Sequence, residues 1–180
     1  MSYELISHTK VSGTSTNYID VQSIPQTYQD LCFWWCGHAN GTGNWNSDDF
    51  YMRFNNDSGS NYGSVRRYVQ GNSGYASQNY NQTQMYSNGW AGNKQHGQNQ
   101  GATLWGYIPG YRDTTNYQGH KVFMRWGSVA TSSTGGSGSS AGYWFGQWQQ
   151  ETAINRIEIG FPYTTYAPDS TFTLYGVKNS

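Results

Sequence analysis

Charged side chains are scarce in this sequence. Asp, Glu, Lys and Arg make up 11% of its 180 residues, far below the usual quarter. Strong helix formers are scarce too, and Gly, Ser, Asn, Gln and Thr take much of their place. This composition argues against a mainly helical protein and favours strands and turns. A surface with so little charge suits a protein that works inside an assembly or outside the cell.

The sequence has no excess of either charge and no long apolar run. Ten basic residues balance ten acidic ones, whereas a nucleic-acid-binding protein usually carries a basic excess. No segment has membrane-spanning length, and the first ten residues lack the apolar core of a signal peptide. We therefore expect no nucleic-acid partner, no membrane association, and synthesis in a cytoplasm without a secretion signal.

Cysteine is nearly absent, with Cys32 and Cys36 as the two examples. On one straight strand their Cα atoms would lie roughly 13 Å apart. A disulfide requires Cα atoms within about 7 Å, so the two cannot bond each other there. We expect two buried free thiols that behave as small hydrophobic residues.

Aromatic residues are abundant instead, with sixteen Tyr and eight Trp. They are dense in the stretch from Ile24 to Cys36, where Pro25 disfavours a helix. The apolar run 31–36 has strand length. Alternation places one set of side chains on each face: Leu31, Phe33 and Trp35 against Cys32, Trp34 and Cys36. Since both sets are apolar, we predict a strand in the middle of a sandwich, with one face in the core and the other covered.

The rest of the chain reads as strands separated by turns. We predict about eight strands, at 3–11, 17–24, 31–36, 49–55, 102–108, 120–129, 154–161 and 171–177, with 62–70 as a further possible strand. Two regions read as loops: a Tyr/Asn/Gln-rich one at 71–101, with some short strand pairing, and a Gly/Ser-rich one at 131–142. The pattern predicts one all-β domain over 1–180, a jelly-roll-like antiparallel β-sandwich with long polar loops.

Aromatic side chains within the polar region 71–101 are the candidate ligand or interface residues. These are Tyr75, Tyr80, Tyr86 and Trp90. Tyr and Trp bury a large area with little loss of rotamer entropy, which suits intersubunit contacts. They can also stack on sugar rings while neighbouring amides bind the hydroxyls. Three interpretations stay open: contact with other subunits or a capsid, packing of a long loop, and glycan binding.

Residues for metal binding or catalysis show no matching spacing. The histidines His8, His38, His96 and His120 are far apart, and we expect them in exposed loops. Asp48, Asp49 and Asp57 lie beside Asn-rich turns, where turn and capping roles are favoured over calcium binding. The carboxylates show no paired arrangement, and there is no nucleophile elbow or phosphate-binding loop. We expect no catalytic residue, no metal and no cofactor.

Four segments carry a resemblance to a known family. In chain order they are SIPQTYQDL at 23–31, YIP at 107–109, INRIEI at 154–159 and STFTLYGV at 170–177. With these segments the chain resembles the small virion structural proteins of tailed bacteriophages, particularly those infecting marine bacteria and cyanobacteria. The resemblance implies a β-sandwich on the particle exterior, either as a head decoration or cement protein or in a tail appendage. It brings no catalytic residues.

The leading hypothesis is a non-enzymatic capsid decoration protein that bridges neighbouring capsid subunits. The sequence shows no attachment segment, heptad stalk or β-helix repeat, which favours a head role over a tail role. The expected partners are the major capsid protein or other virion proteins, with a homotrimer multiplying weak contacts. The alternative is a carbohydrate-binding tail adhesin that recognises a host glycan. A glycan hydrolase is a third, less favoured hypothesis.

Overall fold

A computed structural model of the chain shows an all-β protein. It describes residues 1–13, 16–40, 47–48, 50–86, 91–92, 101–115, 119–128 and 140–178. These residues contain no helix, and so none that could cross a membrane. The strands are β1 (Ser2–Lys10), β2 (Tyr18–Val21), β3 (Asp30–Gly37), β4 (Ser47–Asp48), β5 (Tyr51–Phe54), β6 (Tyr62–Gln70), β7 (Ser73–Gln82), β8 (Met85–Tyr86), β9 (Ala91–Gly92), β10 (Ala102–Ile108), β11 (His120–Ser128), β12 (Ser140–Trp148), β13 (Ile157–Gly160) and β14 (Thr171–Lys178).

The strands form two antiparallel sheets that pack as a β-sandwich. The large sheet has eight strands in the order β1-β14-β3-β10-β11-β12-β6-β7, and the small sheet has four in the order β2-β13-β5-β8. Strands β4 and β9 pair separately. The predicted fold class is therefore confirmed as an antiparallel sandwich, while jelly-roll connectivity stays a prediction.

Strand β3 lies third in the large sheet, as its apolar run suggested. Leu31, Phe33 and Trp35 are at most 2% exposed and belong to the core between the sheets. The expectation that the other face is covered is wrong at Trp34, whose side chain is 38% exposed. Cys36 is exposed as well, so the prediction of two buried thiols holds for Cys32 alone. Neither cysteine forms a disulfide.

The region 71–101 contains more regular structure than its composition indicated. A turn at 71–72 closes the β6–β7 hairpin, and Gly71 there has a φ of +54°. Gly tolerates this conformation at no steric cost. Strand β7 then runs for ten residues. Its polar, glycine-containing sequence hid the strand because an edge strand with little burial needs no alternation of apolar residues.

The small sheet covers the large one through alternating apolar residues. Ile157 and Ile159 of β13 lie fully buried between β2 and β5. Strand β5 ends at a turn in which Asn55 and Asn56 have φ values of +50° and +58°. Asn suits this turn because it tolerates the left-handed conformation.

Aromatic rings fill the core where an ordinary protein would use aliphatic ones. Trp35 contacts Phe50, Phe161 and Tyr166, with ring centroids 5.9–6.2 Å apart. The Tyr166 hydroxyl donates to the carbonyl of Ile159 at 2.9 Å, so its polar atom is satisfied inside the core. This rigid core supports both sheets.

Candidate binding surface on the open face of the large sheet

The large sheet has one face covered by the small sheet and one face that carries exposed aromatic residues. We call the second the open face. Cross-strand register aligns its side chains in rows perpendicular to the strands. One row runs through Arg67, Tyr143, Arg125, Trp105, Trp34, Thr173 and His8. The adjacent row runs through Val65, Phe145, Phe123, Tyr107, Cys32, Tyr175 and Leu5.

At the β1–β14–β3 side, the open face carries an uncharged cluster that we call the terminal-strand patch. It consists of Tyr3, Leu5, Trp34 and Tyr175. Tyr3 and Leu5 are 52% and 59% exposed. The ring of Trp34 makes edge contacts with both tyrosines, at centroid distances of 6.4 Å to Tyr3 and 5.2 Å to Tyr175. These contacts hold the rings in place, so the patch presents a preorganised apolar surface.

At the β11–β12–β6 side, the open face forms a groove of about 1060 Å³ that we call the arginine groove. Its defining residues are Arg67, Arg125, Phe123, Tyr143 and Phe145. Phe123 and Phe145 pack with centroids 4.9 Å apart, and Tyr143 meets Phe145 edge to face at 6.2 Å. The groove therefore has aromatic rings along its base and one guanidinium on each of two strands, Arg67 on β6 and Arg125 on β11.

Strand β10 joins the two regions. The Arg125 guanidinium carbon lies 4.9 Å from the ring centroid of Trp105, which gives a cation–π contact. Next to it, the Tyr107 hydroxyl donates to the carboxylate of Asp30. Burial and this hydrogen bond to Asp30 raise the pKa of Tyr107, so its hydroxyl stays protonated at neutral pH. Asp30 accepts this bond and is 9% exposed.

On the outer face of the small sheet, by contrast, acidic and basic side chains pair with one another. Asp20 and Glu158 lie opposite each other across β2 and β13, a pairing that the sequence did not reveal. Arg156 binds Asp20 at 2.7 Å, and Arg53 contacts Glu158 at 3.3 Å. Tyr51 also donates to Glu158 at 2.7 Å. Each carboxylate thus has a cationic partner within this network.

Asp20 does not have the electrostatics of a general acid. Burial alone would raise the pKa of Asp20, but the hydrogen bonds from Arg156 and Gln22 outweigh it and lower that pKa. A general acid needs the opposite shift, towards protonation at neutral pH. We therefore assign this network to stability of the small sheet.

The three described aromatic residues of the predicted site are not brought together. Tyr75 and Tyr80 are exposed on β7, at 47% and 64%, whereas Tyr86 belongs to β8 of the small sheet. Trp90 lies outside the described residues. Tyr75 stacks on Tyr68 at a centroid distance of 5.0 Å, and the register puts both side chains on the face of the sheet opposite to Arg67. A role in binding stays a prediction for all four.

The histidines do not share one environment. His8 is exposed as expected, but it lies on strand β1 rather than in a loop. Its ring nitrogen hydrogen-bonds the Thr173 hydroxyl at 2.9 Å. His120 is 1% exposed within β11, so its expected place in an exposed loop is wrong. Burial among apolar neighbours lowers the pKa of His120, which keeps the ring neutral. His96 lies outside the described part of the chain.

Metal ligands do not cluster in the described part of the chain, where no group of three His, Cys, Asp or Glu side chains could hold an ion. Asp57 accepts hydrogen bonds from the Gly59 amide at 2.8 Å and from the Trp148 indole at 2.7 Å. These bonds match the turn role favoured for Asp57. The side chains of Asp48 and Asp49 lie outside the described residues.

Sequence reasoning missed the open face because its residues come from seven strands. The signal was present as alternation in β10, where Thr103, Trp105 and Tyr107 share one face. Tyr143 and Phe145 alternate in the same way in β12. The sequence prediction left this strand out and wrongly assigned its first residues, 140–142, to the Gly/Ser-rich loop. Neither pattern shows that the large side chains face outward.

Comparison with protein-family models finds no match for this chain, and comparison with curated proteins also finds none.

Proposed function

We propose that the protein is a non-enzymatic structural protein on the exterior of a tailed-phage virion, acting as a capsid decoration or cement protein. Its partners are the major capsid protein or other virion proteins, and its place is on the assembled particle after synthesis in the host cytoplasm. The phage origin is supported by the resemblance of the four segments. The mode of attachment is supported by the open face.

The terminal-strand patch is the observation that carries this proposal. Large aromatic and aliphatic side chains stay solvent-exposed there, with three rings held in mutual contact. Aromatic residues are enriched in protein interfaces, and charged residues are depleted from their centres. A preorganised patch of this kind loses little entropy when it docks, so it suits a protein that adds contact area between capsid subunits.

We also propose a homotrimer at a local three-fold axis of the particle. Three copies of one modest patch bind a symmetric partner far more tightly than one copy, because the second and third contacts are intramolecular. Light scattering of the purified chain measures its oligomeric state directly. A monomeric mass would contradict the trimer but would not contradict attachment through the terminal-strand patch.

Quantification of the chain in purified particles tests the proposal. A decoration protein is expected at hundreds of copies, and a tail component at a handful. Purified protein should also rebind to particles that lack it, and the double variant Tyr3→Ala, Trp34→Ala should fail to rebind. Tyr163→Ala is the matched control, since this tyrosine is 81% exposed but lies between β13 and β14. Absence from the particle, or rebinding by the double variant, would contradict the proposal.

A carbohydrate-binding tail adhesin is the second candidate, and the arginine groove favours it. Aromatic rings that line an open groove can pack against the C–H faces of sugars, while guanidinium groups donate hydrogen bonds to their oxygens. In this case the glycan occupies the β11–β12–β6 side of the open face, rather than the region of Tyr80, Tyr86 and Trp90. Binding of glycans by the purified chain separates the two candidates.

A further inference from the structure

We propose that the arginine groove binds an anionic polysaccharide whose sugars carry carboxylates. The Arg67 and Arg125 guanidinium groups bind carboxylates of the polymer, and the rings of Tyr143 and Phe145 pack against its sugar rings. This inference rests on the carbohydrate-binding candidate and names the class of glycan that the groove takes.

The charge of the groove points to an anionic ligand. Arg67 and Arg125 are both exposed, and no carboxylate of the described residues forms an ion pair with either. By contrast, arginines of the small sheet do have such partners: Arg53 pairs with Glu158 and Arg156 with Asp20. In a protein with equal numbers of acids and bases, two guanidiniums that no described carboxylate pairs with form a local positive surface.

The register of the strands suits a chain-like ligand. Arg67 lies opposite Tyr143, Tyr143 opposite Arg125, and Arg125 opposite Trp105. Neighbouring strands are about 4.8 Å apart, so the two arginine backbones are roughly 10 Å apart, with an aromatic residue between them. A polymer that crosses the strands meets a guanidinium, a ring, a guanidinium and a ring in succession. Sugar rings with carboxylates offer this same alternation of charge and apolar surface.

The side chains also have the chemistry for this ligand. A guanidinium presents five donors in a planar fork, which matches a carboxylate through two parallel hydrogen bonds. The Arg125 group is held against Trp105 at 4.9 Å, which restricts its motion before binding. Tyr143 and Phe145 are 46% and 48% exposed, so their rings are open to a ligand without rearrangement.

Other occupants fit less well. A second copy of the chain docked by the same groove across a two-fold axis would place arginines against arginines. A nucleic acid gains its affinity mainly from many phosphate contacts, and two arginines in a chain of zero net charge supply few. An acidic protein surface shares the charge but has to enter a concave groove, and the experiment below distinguishes it.

Native gel electrophoresis in gels that contain a defined polymer tests the proposal with the intact chain. Alginate and hyaluronan are the anionic probes, dextran is the neutral probe, and carboxyl-reduced hyaluronan keeps the sugars without the charge. We expect retardation by the two anionic probes alone. The double variant Arg67→Gln, Arg125→Gln should bind at least about tenfold more weakly, because each charge-assisted hydrogen bond is lost.

Two variants keep this comparison sharp. Lys10→Gln removes a cation that pairs with Asp169 outside the groove, and it should leave binding unchanged. Tyr143→Ala keeps both arginines and should weaken binding by loss of the ring. Unfolding midpoints close to that of the parent chain show that each variant is folded.

Four results would overturn the inference. The first is no retardation by any acidic polymer, and the second is that dextran sulfate binds as well as alginate and that Lys10→Gln weakens binding as much as loss of the groove arginines. The third is unchanged binding after loss of both arginines. The fourth is that poly-glutamate binds as well as alginate. The second indicates charge alone, and the last indicates an acidic protein partner. None of them bears on rebinding to particles through Tyr3 and Trp34, so failure here stays separate from failure of the decoration proposal.

Discussion

The terminal-strand patch and the arginine groove lie on the same face of the same sheet, yet they differ in charge. The patch joins aromatic rings to Leu5 without a charged group, whereas the groove combines similar rings with Arg67 and Arg125. An apolar surface loses water on docking and suits a protein partner. Rings with unpaired guanidiniums attract an anion first and pack against it afterwards. Two arginines, on β6 and β11 at either side of β12, therefore decide which partner each part of this aromatic face fits.

Trp35→Ala should have the largest effect, because it removes a large ring from the centre of the aromatic core beneath β3. Trp35 is 2% exposed and contacts three aromatic rings in the core. Truncation of a buried Trp costs about 3–5 kcal/mol in the free energy of unfolding. Its neighbour Trp34 points to the open face, and Trp34→Ala should cost about 1 kcal/mol through lost ring contacts. Urea denaturation of both variants measures the difference, and equal losses would contradict the two-faced description of β3.

Testing each double variant in both binding assays should separate the two regions. Tyr3→Ala with Trp34→Ala should abolish particle rebinding and leave retardation by alginate unchanged. Arg67→Gln with Arg125→Gln should do the reverse. If either double variant weakened both activities equally, the open face would be one continuous site rather than two.

Salt should distinguish the regions without any substitution. Raising the ionic strength from about 0.1 M to about 1 M shortens the screening length from about 10 Å to about 3 Å. Polysaccharide binding at the arginine groove should weaken strongly, while docking through the terminal-strand patch should persist. Titrations at both salt concentrations measure this, and a salt-resistant groove would point to apolar contact alone.

Acid should affect the covered face, where His120 stacks on Trp148 with its pKa lowered by burial. A lowered folded-state pKa means that the unfolded chain binds the proton more readily. The neutral His120 ring therefore contributes fully to stability above the ordinary histidine pKa of about 6.5. This contribution is lost as the pH falls towards the lower pKa of the folded state. His120→Gln keeps a donor for the Thr152 carbonyl and should flatten the fall in unfolding free energy below about pH 6.5. An unchanged pH profile would assign the acid sensitivity to other groups.

The smallest expected effect is a labelling pattern at the two cysteines. Cys36 is exposed, while burial raises the pKa of Cys32 to about 11. Thiolates are the reactive form, so iodoacetamide at about pH 8 should modify Cys36 in the folded chain and both residues after denaturation. Mass spectrometry of the labelled protein reads this directly. Rapid labelling of Cys32 in the folded chain would show that β3 opens between Tyr107 and Tyr175.

Much of the fold follows from local patterns. A continuous apolar run predicted the central strand around Phe33, and local patterns also predicted the strands that carry Ile157 and Leu174. All three residues are buried. Pairs of Asn predicted the turn after β5, because Asn tolerates positive φ without help from distant residues. Scarcity of helix formers excluded a helical fold for the same local reason.

Only the tertiary structure decided which apolar residues stay outside. The sequence shows Trp34 and Trp35 as equals, and their different fates depend on a four-stranded sheet that covers one side of an eight-stranded one. Register across seven strands likewise places Arg67 beside Tyr143, although they are far apart in the chain. Alternation along a strand specifies two faces but not which one meets the core, because that choice depends on contacts between residues distant in sequence.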